Sequence, residues 1–248
     1  MFMSSNLVII PTYNEKENIE NIIRAVFGLS TPFHVLIIDD GSPDGTADIV
    51  KNLQAEFTDC LLMIERKGKL GLGTAYIAGF KWALEHNYQY IFEMDADFSH
   101  NPNDLPRLYD ACANKGADVA IGSRYVTGVN VVNWPMGRVL MSYLASKYVR
   151  FVLGVEIADT TAGFKCYRRE VLETIELDKI RFKGYAFQIE MKFTAFECGF
   201  IVKEVPIIFI NRELGTSKMN SGIFGEAFLG VIQLKLNSLF RKFPQKKI

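Results

Sequence analysis

Asp95-Ala96-Asp97 stands directly after the apolar run 90–94, so two carboxylates project from the end of what reads as a β-strand. Oxygen ligands of this kind suit hard divalent cations such as magnesium or manganese. These ions take one or two carboxylates and complete their shell with substrate phosphate oxygens. A cation held there would neutralise a departing diphosphate. Two further polar clusters follow apolar runs in the same manner: Pro11-Thr12-Tyr13-Asn14-Glu15 after 7–10, and Asp39-Asp40-Gly41-Ser42-Pro43-Asp44-Gly45-Thr46 at the end of 35–39. Tyr13 offers a stacking face and Asp40 an acceptor for a base edge, while proline and glycines hold the turns in fixed shapes. Each segment alone is an ordinary strand-to-helix turn. Polar clusters at successive strand ends together describe a clasp for a nucleotide.

Lys67-Gly68-Lys69-Leu70-Gly71-Leu72-Gly73-Thr74 has neither the GK[ST] ending of a P-loop nor the GxGxxG spacing of a dinucleotide fingerprint. It reads instead as the opening of a helix beside the donor pocket, where backbone N–H groups favour an anion. His34, His86 and His100 form no evident nucleophile and base arrangement. That fits a reaction whose nucleophile is already anionic, such as a phosphate monoester, which needs no general base.

These clusters require elements to position them. Apolar runs at 7–10, 35–39, 61–65, 90–94 and 119–121 predict strands, and amphipathic stretches between them predict helices. The helices begin near Glu17 with Asn14 as cap, after Asp44-Gly45, after Gly73-Thr74 and after Asn103-Asp104. This alternation predicts an α/β fold with a mostly parallel, Rossmann-like sheet flanked by helices, its ligands beyond the carboxyl ends of the strands. The second half predicts a helix over 137–153, a loop around 159–163, a helix over 186–196 and an extended run at 202–210. Residues 211–222, with Arg212 and Lys218 among serines and glycines, have the composition of an active-site lid.

Lysine plus arginine equals aspartate plus glutamate at 28 each, which argues against nucleic acid as a partner. Cys60, Cys112, Cys166 and Cys198 are scattered without a CxxC pair, as expected of reduced thiols. The amino-terminal residues lack the apolar core of a secretory signal, and no segment reaches the ~20 apolar residues of a spanning helix.

The order Ile9-Ile10-Pro11-Thr12-Tyr13-Asn14-Glu15, then Asp39 to Thr46 as above, then Asp95-Ala96-Asp97, then Gly122-Ser123-Arg124-Tyr125 resembles the dolichol-phosphate mannose synthases. The resemblance continues through Asn133-Trp134-Pro135, Gly163-Phe164 and Arg212 with Gly215-Thr216-Ser217-Lys218, so it covers nearly the whole chain. These are inverting glycosyltransferases of family two with the A-type glycosyltransferase fold. The resemblance implies transfer of mannose from GDP-mannose to dolichyl or another polyprenyl phosphate. It implies that Pro11, Tyr13, Glu15, Ile38 and Asp40 hold the guanosine half of the donor. Asp95, Ala96 and Asp97 match positions at the diphosphate, the mannose and a magnesium or manganese ion, with Asp95 and Asp97 as metal ligands. Arg124 matches a donor-site arginine, Arg212 and Lys218 match bases that close over phosphate groups, and Arg138 matches a residue near the acceptor phosphate. Catalysis by charge stabilisation then falls to Asp97, Arg124, Arg212 and Lys218. Ser99 stands two residues after Asp97, where similar enzymes can carry a glutamine.

A lipid acceptor requires approach to a membrane surface, here expected at the cytoplasmic face as a peripheral protein. Residues 1–221 read as the catalytic domain and 222–248 as a C-terminal amphipathic helix, packed on the domain or on membrane. Phe224, Phe228, Val231, Ile232, Leu236, Leu239, Phe240 and Phe243 recur there at helical spacing, with Arg241, Lys242, Lys246 and Lys247 beyond. The same stripe would also serve a membrane-anchoring subunit. Competing functions are transfer from a UDP sugar such as UDP-glucose to the lipid or to a glycan, and a non-catalytic nucleotide-sugar-binding subunit.

Overall fold

Successive residues of a strand face opposite sides, and the run at 7–10 divides accordingly between two cores. Leu7 and Ile9 pack with Leu36, Ile38, Tyr76 and Phe80, whereas Val8 and Ile10 pack with Val35, Ile37, Ile22 and Val50. Every one of these side chains is buried, and each fully buried leucine or isoleucine contributes roughly 1.5–3 kcal/mol. The computed structural model describes residues 5–184, 186–212, 214 and 222–246.

The strands are β1 (Asn6–Thr12), β2 (His34–Asp39), β3 (Leu61–Glu65), β4 (Tyr90–Glu93), β5 (Val119–Ser123), β6 (Val131–Val132), β7 (Lys165–Arg168), β8 (Val202–Pro206) and β9 (Phe209–Ile210). The main sheet has the order β3-β2-β1-β4-β7-β5-β8, and β6 pairs with β9 in a small separate ribbon. All neighbours in the main sheet run parallel except at β7, which is antiparallel to both β4 and β5.

The helices are α1 (Ile19–Phe27), α2 (Thr46–Glu56), α3 (Leu72–Glu85), α4 (Leu105–Ala113), α5 (Met136–Leu153), α6 (Arg169–Thr174), α7 (Ala186–Glu197) and α8 (Gly222–Ser238). α1, α2 and α4 cover one face of the sheet; α3, α6 and α7 cover the other, with α5 and α8 packed over that layer. α3 lies directly on β1, because a Cβ at Gly79 would stand only 2.8 Å from Ile9 Cγ2. No helix among the described residues is long and apolar enough to cross a membrane.

The five strands expected in the first half are present, with ends within two residues of those expected. Three features differ from the sequence reading. Asn14 does not cap α1: it sits in a left-handed turn (φ 54°), its N–H donating to Ser42 Oγ, and Asn18 precedes the helix. β7 and α6 occupy residues for which no element was expected. The apolar stripe of α8 is divided: Val231 and Leu234 face the core, Phe228, Leu229, Ile232 and Leu236 face outward, and the helix ends before Leu239. The Phe224 side chain lies outside the described residues. Beyond α8 the chain returns along the sheet, where the Lys246 N–H donates to Cys198 O (2.9 Å) and its Nζ to both Asp118 oxygens (2.8 and 2.9 Å).

Candidate active site

The turns after β1 and β2 are stitched together before any ligand is considered. Thr12 Oγ1 and Ser42 N–H donate to the Asp39 carboxylate (both 2.9 Å), and Glu15 N–H donates to Thr46 Oγ1 (3.0 Å). Asp40 accepts from Arg66 Nε (2.6 Å) and Leu70 N–H (3.1 Å), which pins the glycine-rich turn at 66–71 beside the first two. Lys69 Nζ stands 5.1 Å from the centre of the Tyr13 ring. These turns, the end of β4, α5 and the beginning of α7 surround one cleft of about 1210 Å³.

Pro11, Tyr13, Glu15, Asp40, Asp95, Ala96, Asp97, Arg124, Arg138 and Arg212 all line that cleft. Ile38 does not: as the inward-facing residue of β2 it is fully buried in the core beneath α3, so its side chain cannot reach a nucleotide. Lys218 lies outside the described residues.

Asp95 and Asp97 follow β4 at the cleft floor. Loss of solvation, reinforced by the Asp97 charge, pushes the Asp95 carboxyl up to about 7. At Asp97 burial acts in the same upward sense, but the Arg212 charge and the hydrogen bonds from Ser99 prevail and hold it below the usual aspartate range. Arg212 Nη2 lies 2.5 Å from Asp97 Oδ2, and its Nη1 is 3.6 Å from Glu15 Oε1. Ser99 N–H donates to Asp97 Oδ1 (3.0 Å). The carboxylate pair thus raises one of its own members toward neutrality and draws in a guanidinium, which is the behaviour of a site suited to a cation. Among the described residues no cluster of three or more acidic, histidine or cysteine side chains forms a metal cage. Two carboxylates completed by phosphate oxygens and water are the set magnesium and manganese accept.

His100 supports this floor from behind. Its Nδ1 accepts the Asp95 N–H (3.2 Å), its ring stacks on Phe164, and burial lowers it to about 4, so the imidazole is neutral at neutral pH. Arg124 makes a two-pronged contact with Asp159 (2.7 and 2.6 Å) and a third with Thr161 Oγ1 (2.7 Å). Asp159 is wholly buried and is itself oriented by Glu204, which accepts the N–H groups of residues 158 and 159. Arg138 lies 4.0 Å over the Trp134 ring and donates to Asn211 Oδ1 (3.0 Å).

The other half of the cleft is apolar. Met141, Leu144 and Tyr148 of α5 face Phe228 and Val231 of α8, with Leu72 and Ile189 beneath. Tyr148 stacks on Phe228 and donates to its carbonyl (3.0 Å). Asp159, Thr161 and Gln188 escaped the sequence reading. A usable signal exists only for Gln188: α7 is buried on all sides over 186–195 yet carries Gln188, Glu190, Lys192 and Thr194, which have to find polar partners inside the protein.

A family model described as glycosyl transferase family 2 matches residues 7–176. A polyprenol monophosphomannose synthase from Mycolicibacterium smegmatis is 50% identical over 227 residues, covering 92% of this chain and 85% of the relative. An undecaprenyl-phosphate mannosyltransferase from Micrococcus luteus is 47% identical over 225 residues, covering 91% of each. Among solved structures, glucosyl-3-phosphoglycerate synthase from Mycobacterium tuberculosis in complex with Mn2+, UDP and glucosyl-3-phosphoglycerate superimposes with a TM-score of 0.66 at 18% identity, over 93% of this chain and 78% of that one. A mannosyltransferase from Pyrobaculum calidifontis in complex with GDP-Man and Mn2+ gives 0.60 at 17% identity, over 98% and 66%. The strand order, the carboxylate pair at the end of β4 and the family match agree, and the chain belongs to the family-two glycosyltransferases, with their A-type fold.

Proposed function

We propose that this protein transfers mannose from GDP-mannose to the phosphate of a polyprenyl lipid, with inversion at the anomeric carbon. The observation that carries the proposal is the continuity of the cleft, in which carboxylates and arginines at one end pass without a wall into the apolar channel between α5 and α8. Such a cleft fits an acceptor that is charged at its head and hydrocarbon behind. The relatives at 47–50% identity carry names that specify mannose and a polyprenyl phosphate.

Tyr13, Glu15 and Asp40 surround the nucleotide, and Asp95 and Asp97 would hold a magnesium or manganese ion, which neutralises the diphosphate when bound. Arg138 faces the acceptor phosphate, and Arg212, with Lys218 from the lid, closes over the phosphates of the donor. An oxygen of that phosphate forms the new bond to the anomeric carbon, the bond from that carbon to the diphosphate breaks, and GDP departs with the electron pair. The attacking oxygen is already anionic, so no base is needed, and charge stabilisation supplies the catalysis. Transfer of labelled mannose to a short polyprenyl phosphate, with magnesium or manganese and with a chelator, tests the proposal. Label in the lipid phase only with metal present is the expected result; turnover with a UDP sugar alone would replace the donor, and no turnover with any sugar would leave a nucleotide-sugar-binding subunit.

We further infer that the mouth of the channel docks on a membrane surface, at its cytoplasmic face as a peripheral protein, and the exposed apolar side chains of α5 and α8 support the docking. Leu140 and Leu144 on α5, and Leu229, Ile232 and Leu236 on α8, are exposed, and Phe151 and Phe240 are 89% and 90% exposed beside Lys147, Arg150 and Lys242. Apolar side chains rimmed by basic ones suit an interface with anionic headgroups. Residues 222–248 act in this reading as the attachment segment of the 1–221 catalytic unit. A Phe151→Glu and Phe240→Glu double variant is expected to bind phosphatidylglycerol vesicles at least tenfold more weakly while keeping its turnover on a short soluble acceptor. Unchanged vesicle binding would assign the apolar faces to an anchoring subunit.

A further inference from the structure

Nothing in the transfer chemistry above uses Gly163 or Gln188, yet both line the cleft. Gln188 is 3% exposed in the first turn of α7. Its amide oxygen accepts from Lys165 Nζ, and its Nε2 donates to Glu93 Oε2 (2.8 Å). Lys165 and Glu93 are themselves an ion pair (3.1 Å) with wholly buried side chains, and Tyr167 Oη donates to the other Glu93 oxygen (2.9 Å). An ammonium offers only donors and a carboxylate only acceptors, so both contacts dictate the same orientation of the amide. The nitrogen carries a second N–H, which has no hydrogen-bond acceptor among the described residues.

The space beside that nitrogen is defined by Gly163. A Cβ built there would stand 3.6 Å from Gln188 Nε2 and 3.7 Å from His100 Cε1, with no other residue within 4 Å. The space admits a ligand atom, and its His100 wall is the ring that accepts the Asp95 N–H. It therefore lies one ring away from the backbone of Asp95, whose carboxylate is assigned above to the metal and the diphosphate. Phosphate oxygens in this cleft meet cationic donors, Arg138 and Arg212. A neutral N–H held rigidly in a buried network suits an uncharged oxygen.

We propose that Gln188 reads the transferred sugar, its second amide N–H donating to a sugar hydroxyl oxygen seated over Gly163, with Lys165 and Glu93 as positioning residues. This rests on the donor assignment made above. Discrimination by such a site comes from leaving a buried polar group unpaired when the hydroxyl is absent or misplaced.

Gly163→Ala places a methyl 3.6 Å from Gln188 Nε2, where it crowds the approach of an oxygen to that nitrogen, and it meets no closer contact and no left-handed backbone, so the fold is kept. Gln188→Met removes the amide at similar volume and leaves the Lys165–Glu93 pair intact. Calorimetric titration with GDP-mannose and with GDP, both with Mn2+, is expected to show three- to tenfold weaker binding of GDP-mannose to each variant and unchanged binding of GDP, as loss of roughly one neutral hydrogen bond requires. Equal weakening of both ligands would mean a structural role only, and a change confined to the KM for the lipid would mean that the amide reads the acceptor; either result overturns the proposal, as does wild-type behaviour. If the unmodified protein uses another nucleotide sugar, the donor assignment falls, and the same titrations with that sugar and its free nucleotide decide the role of Gln188 independently.

Discussion

Asp97→Asn is expected to reduce transfer about a thousandfold, corresponding to the roughly 4 kcal/mol that a charge-neutralising cation supplies to a departing diphosphate. The substitution keeps the shape of the side chain and its contact with the Ser99 N–H through the amide oxygen. What it removes is one negative charge from a pair that at present draws Arg212 to within 2.5 Å and adds to the burial that holds Asp95 up at about 7. With that charge gone, Asp95 loses its main electrostatic opponent and moves back toward the ordinary aspartate range, while Arg212 loses its firmest partner. The variant is expected to bind GDP without metal as the wild type does, but to lose the gain in affinity that Mn2+ confers. Both quantities are accessible by thermal shift with and without a chelator. Wild-type turnover in Asp97→Asn would remove the metal assignment.

The second large effect is on stability. Asp159→Ala leaves the Arg124 guanidinium, itself 5% exposed, without the carboxylate that meets it at two points. Breaking a buried pair from one side costs about 3–5 kcal/mol, because an uncompensated charge stays behind. In a chain of this length that lowers the melting temperature by about 10 °C. An Arg124→Met and Asp159→Leu double variant is expected to recover most of the loss in stability, since both charges are gone, while transfer remains impaired. A melting temperature within a degree of wild type in Asp159→Ala would show that the pair carries no such strain. Calorimetry decides between these outcomes.

The part of the cleft built by the strand-end turns was legible because it is local. Each polar cluster sits at the end of an apolar run, and a parallel sheet aligns those ends by its topology alone, so the positions of Tyr13, Asp40 and Asp97 followed from pattern. Ile38 shows the limit of a match by position: the same alternation that makes β2 a strand turns this side chain into the core. The buried polar network behind the cleft was less legible because its parts meet across long stretches of chain. Arg124 finds Asp159 35 residues away, Lys165 finds Gln188 23 residues away, and Gln188 finds Glu93 95 residues away. β7 was missed for a related reason. A lysine at its first residue breaks the apolar run, and its burial is made tolerable by the Glu93 carboxylate on the neighbouring strand and the Gln188 amide oxygen. The terminal helix packs on the domain through one face and turns the other outward, a division that the even spacing of its apolar residues did not show.

The placement of β7 also bears on how the chain is made. β4 and β5 emerge from the ribosome well before residues 165–168, yet β7 lies between them and supplies the pairing for both. Until then a nascent chain holds β4 and β5 with the edges that face each other unpaired, each a template for joining a second chain. Synthesis of Lys165 to Arg168 closes both edges at once and brings Lys165 against Glu93 in the same event. The strand that sequence pattern least announces is therefore the one that joins the two parts of the sheet, and a chain stopped short of it would leave two open edges facing each other.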